Sequence, residues 1–228
     1  MRILRELALI KLFYIIILKE LKCYLFHSNK SWFAIAFFLL CILIFPLSFG
    51  SSNELLRNIS VASIWICVLF SNLISLDSLF KEDYQSGILL QYQINRIPLS
   101  MIVISKCICH WIFTGLPITL LGPLFLIFLN GSSYDAFALF LSLILGTPLF
   151  SLIGMPISAL TLGTTARAPT LIFLAIPFFL PIIIFGILAV KSFSYGSFSE
   201  YYLLCAILSL SIVFLPYITI KILKVNLD

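Results

Sequence analysis

Residues 137–161 read FALFLSLILGTPLFSLIGMPISALT. The stretch holds no charged side chain. As a helix it is long enough to cross a bilayer, whose hydrocarbon core of about 30 Å takes roughly 20 apolar residues. Similar apolar stretches cover about 32–49, 60–79, 101–128, 169–190 and 201–220, which predicts six transmembrane helices in all. Composition agrees. The 228 residues are 62% hydrophobic and 10% charged, against about 25% charged in soluble domains. The expected fold is an all-α polytopic membrane protein, one transmembrane domain over 1–228, solvated by lipid.

The breaks between spans are polar or glycine-rich: Gly50-Ser51-Ser52-Asn53-Glu54, Lys81-Glu82-Asp83, Asn130-Gly131-Ser132-Ser133, Gly163-Thr164-Thr165 and Ser192 to Ser199. An even number of spans puts both termini on one side. Of the 14 Lys and Arg residues, only Arg57 and Lys191 fall on the opposite side. The positive-inside rule therefore predicts cytoplasmic N- and C-termini. It also gives the net charge of +5 a use other than nucleic-acid binding. No basic–aromatic stripe or nucleic-acid motif accompanies that charge.

Residues 1–30 do not read as a signal peptide, because basic residues recur at Arg2, Arg5, Lys11, Lys19, Lys22 and Lys30. The run Leu12 to Leu18 is too short to span. An interfacial helix is expected, with Phe13, Ile16 and Ile17 in lipid and the lysines at the headgroups. The 81–98 segment, between spans two and three, is then cytoplasmic. It mixes Leu89, Leu90 and Ile94 with Tyr84, Gln85, Gln91, Gln93 and Asn95, and Pro98 ends it. That pattern predicts a short surface helix able to dock a soluble partner. A passive connecting loop is the alternative.

Span three carries Lys106, His110 and Thr114 at i, i+4 and i+8, on one helical face. Lys106 lies near the cytoplasmic end, where a lysine can snorkel. His110 lies about 13 Å along the helix from Met101. Ionisable groups at such depth face a bundle interior or a cavity. His110 has three open readings: a bond to a neighbouring helix, a place on a substrate route, or ligation of haem or a metal. Trp111 packs against a neighbour or anchors near the interface. Helix breaks are expected at Pro117, Pro148 and Pro156, each close to a glycine. In span two, Ser71, Ser75 and Ser78 share a face suited to close packing, and Asp77 is placed to pair with Lys81.

The six cysteines are scattered, mostly in apolar runs. Cys107 and Cys109 point about 200° apart on a helix, which disfavours a shared metal. No GxxxxGK[ST], HExxH or GxSxG is present. The chain therefore reads as a non-enzyme, with any energy supplied by a partner, a gradient or the substrate.

A set of short runs, in order and spacing, resembles one family. They are Phe45-Pro46-Leu47-Ser48 with Gly50, Leu79-Phe80 with Asp83 and Gly87, and Pro98-Leu99. Then come Lys106, His110-Trp111, Thr114-Gly115-Leu116-Pro117, Leu145-Gly146-Thr147-Pro148, Gly154, Pro156, Ala159-Leu160-Thr161 and Gly163. The chain resembles the haem exporter protein B (CcmB) family, the membrane subunit of the cytochrome c maturation ABC transporter. It departs from the family at Ala166-Arg167-Ala168-Pro169, where glycines often follow the basic residue.

The resemblance implies an ABC-2-type permease forming a homodimer with two copies of a separate ATP-binding subunit, haem exporter protein A. It implies haem exporter subunits C and D and the periplasmic haem chaperone E as further partners. ATP would be held by the partner and haem by the wider complex, with no cofactor on this chain. The implied location is the bacterial inner membrane, or the mitochondrial inner membrane if the chain is organelle-encoded. The implied function is coupling of ATP hydrolysis to haem delivery or to release of the haem-loaded chaperone. Direct export of haem or another small hydrophobic solute, and a non-catalytic scaffold for maturation proteins, are the alternatives. Asp83 and Gly87, with Lys81, Glu82 and Tyr92 in the same segment, would dock the ATPase. His110, Trp111 and Thr114 would lie near the bundle interior, with no haem-ligand role for His110.

Overall fold

The computed structural model describes residues 2–26, 29–49, 53–164 and 167–227. Gly50, Ser51, Ser52, Thr165 and Ala166, named above, lie outside the described residues. The described chain is helical, with no strand. Its elements are α1 (Arg2–Phe26), α2 (Asn29–Phe49), α3 (Asn53–Leu76), α4 (Lys81–Gln85), α5 (Ile88–Ile94) and α6 (Leu99–His110). A π-helical turn (Trp111–Gly115) follows, then α7 (Leu116–Phe128), α8 (Ser133–Leu160), α9 (Arg167–Phe193) and α10 (Ser199–Leu227). Six helical segments among the described residues are long and apolar enough to cross a membrane, with α6, the π turn and α7 acting as one. This is the polytopic all-α fold that composition predicts.

Local chemistry sets the ends. Asn130 takes a left-handed backbone, and the Gly131 N–H reaches back to the Leu126 carbonyl, closing α7. Ser132 then caps α8. Its hydroxyl accepts from the Asp135 N–H at 3.0 Å and donates to the Asp135 carboxylate at 2.6 Å. Between α4 and α5, Gly87 has φ +74°, which any side chain would strain. Pro98 stands immediately before α6, where its missing N–H costs nothing.

α8 is the central helix, packed against α7, α9 and α10. Pro148 and Pro156 lie inside it, yet it stays one helix of 28 residues. The expected breaks there are therefore corrected. Each proline removes one donor, and packing on three neighbours holds the helix together. In span three, by contrast, the helical repeat does change: it widens into the π turn just ahead of Pro117. Pro117 denies a partner to the Phe113 carbonyl, and its own place in the first turn of α7 is tolerated.

Trp65 of α3, fully buried, fills the space between α8 and α9. Its ring occupies the volume that a Cβ at Gly146 or at Gly186 would need. Dispersion over a large ring is gained only if the two backbones come this close. The Ser142 hydroxyl adds a 2.8 Å bond to the Gly186 carbonyl at the same contact. Gly146→Ala or Gly186→Ala is expected to cost about 1–3 kcal/mol through overpacking. The effect is read as a lower unfolding midpoint in detergent with membrane insertion retained. An unchanged midpoint in both variants contradicts the packing.

Candidate functional site

Four charged side chains from three separate elements meet at the end of the bundle that carries α4 and α5. Lys106 of α6 places its ammonium 2.7 Å from Asp83 Oδ2 of α4 and 3.1 Å from Glu20 Oε2 of α1. Lys19 approaches Glu20 Oε1 at 3.1 Å and Asp83 Oδ1 at 3.7 Å. The aromatic rings of Phe80 and Tyr92 lie 6.0 and 5.4 Å from the Lys106 and Lys19 ammonium groups. Glu20, Asp83 and Lys106 are buried, and the Lys19 side chain is 38% exposed. Two cations and two anions cancel. Desolvating each ion costs several kcal/mol, which is recovered only when all are matched. Burial, the largest single influence on Lys19, pulls its pKa down. The Glu20 and Asp83 carboxylates and Tyr92 together outweigh it and hold the ammonium above the usual lysine range.

The quartet explains what α1 does. Its buried face presents Ile16, Glu20 and Tyr24 at i, i+4 and i+8 and packs against α6. Tyr24 stacks on Phe113 of the π turn with ring centroids 5.3 Å apart. Ile16 therefore faces protein rather than lipid, a correction to the expected interfacial arrangement. The expected snorkelling of Lys106 is corrected too, because its head turns into the quartet instead of towards lipid headgroups.

Deeper along the same face, His110 is fully buried between α3 and α8. Its Nε2 lies 2.7 Å from the Ser75 hydroxyl and its Nδ1 2.8 Å from the Ser151 hydroxyl. Ser75 also donates to the Asn72 carbonyl at 3.0 Å. The neutral tautomer with the proton on Nε2 satisfies all three groups: Nε2–H donates to Ser75, and Ser151 donates to Nδ1. Of the three readings of His110, the neighbour bond is the one the geometry shows. Both ring nitrogens are occupied by hydroxyls, which leaves no lone pair for iron or another metal. The ladder continues with Trp111 Nε1 donating to Thr147 Oγ1 at 3.0 Å and Thr147 meeting Thr119 at 3.0 Å. Thr119 also donates to the Gly115 carbonyl at 2.8 Å, inside the π turn.

The remaining candidates divide. Lys81 pairs with Asp77 at 3.3 Å, four residues back, as the spacing suggested. Glu82 is exposed. Gly87 is the left-handed hinge between α4 and α5, and Tyr92 lies half-buried under Lys19. Leu89 is buried in the core, whereas Leu90 and Ile94 are exposed. Thr114 is fully buried, with a hydroxyl that has no hydrogen-bond partner among the described residues. Sequence reasoning missed Glu20. The available signal was a carboxylate on the apolar Ile16–Tyr24 face of a predominantly basic helix.

The sequence profile of the CcmB protein family matches residues 11–226. The chain belongs to the CcmB family. This CcmB-family chain is 33% identical over 194 residues to Heme exporter protein B of Pseudomonas aeruginosa, covering 84% of this chain and 87% of the relative. It is 39% identical over 158 residues to Heme exporter protein B of Haemophilus influenzae, covering 69% and 70%. To the protein of the same name from Rhodobacter capsulatus it is 34% identical over 195 residues, covering 85% and 89%. The quartet and the His110 ladder both lie within the family match.

Lys106→Met in this CcmB-family chain leaves two buried carboxylates facing only Lys19. It is expected to cost about 3–5 kcal/mol, read from the unfolding midpoint of the purified chain. Adding Glu20→Gln to Lys106→Met should recover part of that loss, because contacting charges are not additive. Equal stability of wild type and Lys106→Met contradicts the pairing.

Proposed function

We propose that this chain is the permease subunit of an ABC transporter complex in cytochrome c biogenesis. It couples ATP hydrolysis by a separate subunit to haem delivery, or to release of a haem-loaded periplasmic chaperone. The observation that carries this reading is the buried quartet. It ties the exposed 81–98 segment to α1 and to span three, so a push on the segment is passed into the bundle. The haem assignment follows the name borne by the relatives.

The charge bias places the quartet end of the bundle in the cytoplasm, where an ATP-binding partner would sit. Glu82, Leu90 and Ile94 are among the exposed residues of the segment and meet that partner. Asp83 and Tyr92, turned inward, pass its movement to Lys106 and Lys19. Gly87 sets the angle between α4 and α5. From α6 the displacement passes through His110 to Ser75 and Ser151, so spans two, three and four respond together. The π turn and Pro117 supply the yielding point within span three. The chain works as a non-catalytic subunit, as a homodimer with two ATP-binding subunits, alongside subunits C and D and the chaperone E in the bacterial inner membrane.

Asp83→Asn removes the charge that binds Lys106, and Gly87→Val strains the α4–α5 hinge. Each is expected to lower ATPase activity coupled to chaperone release by about tenfold, a change of about 1.4 kcal/mol, in the reconstituted complex. Assembly with the ATP-binding subunit is retained. Normal coupled turnover in both variants sinks the docking assignment. Maturation supported by an ATPase-dead partner favours the scaffold instead.

A further inference from the structure

The two basic residues assigned to the outer side, Arg57 and Lys191, come from different helices. Arg57 stands near the start of α3 and Lys191 near the end of α9, yet both line one cleft of about 350 Å³. The start of α8 closes the cleft through Asp135. Both cationic side chains are exposed, and neither forms an ion pair among the described residues. Asp135 does not neutralise them both. Its carboxylate accepts the Ser132 hydroxyl, and it lies in the first turn of α8, where it offsets the positive helix end. Asn58, Ser194 and Tyr195 form an exposed polar rim. Val61, Ile187 and Val190 supply less exposed apolar wall.

We propose that this outer cleft binds the oxyanion end of an amphipathic molecule, with Arg57 and Lys191 on the oxyanion and the Val61–Ile187 wall against its apolar body. The positive-inside bias disfavours cations on this side, so two of them converging on a single cleft call for an anion. A guanidinium offers a forked donor pair to a carboxylate or phosphate, and an ammonium adds a point charge. The partly apolar wall favours an amphiphile over a fully hydrated ion. Two sources carry this chemistry: the paired carboxylates of a porphyrin, and the phosphate of an anionic phospholipid. The porphyrin source rests on the haem reading above, and the phospholipid source is independent of it.

The test uses the full chain in nanodiscs of neutral phosphatidylcholine, without any ATPase subunit. Failure here is thus separate from failure of coupling. Protoporphyrin IX and its dimethyl ester are titrated by fluorescence, and retention of phosphatidylglycerol is read by native mass spectrometry. The wild type is expected to prefer the free diacid over the ester, or phosphatidylglycerol over phosphatidylcholine, by at least about tenfold. The R57Q/K191Q double variant loses that preference, while Arg57→Lys keeps most of it and controls for folding. A preference for the diacid alone assigns the porphyrin, a preference for phosphatidylglycerol alone assigns the lipid, and either supports the site. Absence of both preferences in the wild type overturns it, as does their persistence in R57Q/K191Q.

Discussion

A lysine ammonium largely buried from bulk water must be met by carboxylates, and here they arrive from two other elements. Lys106 is held by Asp83 of α4 and Glu20 of α1, with Lys19 completing the balance. Removing any one member leaves an unmatched charge in a low-dielectric site, so the three elements are obliged to stay together. α1, α4 and α6 are thereby tied together by a single charge network. Without the quartet, α4 would be held mainly by short-range packing around Leu79, Phe80 and Leu89.

The second layer has the same logic with neutral groups. His110 joins two hydroxyls on two different helices, and each donor finds an acceptor. Such a network gives position rather than great stability, since a hydrogen bond contributes about 1 kcal/mol net. It lies directly against the π turn, the one place in span three where the helical repeat changes. Midway along α3 and α8 the packing is of another kind, with the Trp65 ring set against two glycines.

Much of this was legible before any coordinates. Hydropathy alone defines six spans, because a bilayer imposes a length and a polarity that soluble cores do not. The Lys106–His110–Thr114 stripe is visible from its spacing, and all three residues prove buried. The partners were not legible. Glu20 lies 86 positions from Lys106 in sequence, and no periodicity links them. Pro148 and Pro156 suggest breaks when read locally, and only the neighbours of α8 show why the helix continues. Gly146 reads in sequence only as the glycine beside the expected break at Pro148, and in the fold it makes room for Trp65. In each case local propensity was overruled by a contact made between distant helices.

The central claim is that α1, the 81–98 segment and the inner end of span three move as one unit when the partner binds nucleotide. The direct measurement is a pair of spin-label distances in the reconstituted complex, with and without ATP. One pair joins Gln91 to Lys22 on α1, both exposed, and the other joins Gln91 to the outer end of α9. The account predicts an unchanged Gln91–Lys22 distance and a shifted Gln91–α9 distance. Separation of Gln91 from Lys22 on ATP binding, with Gln91–α9 constant, would contradict it.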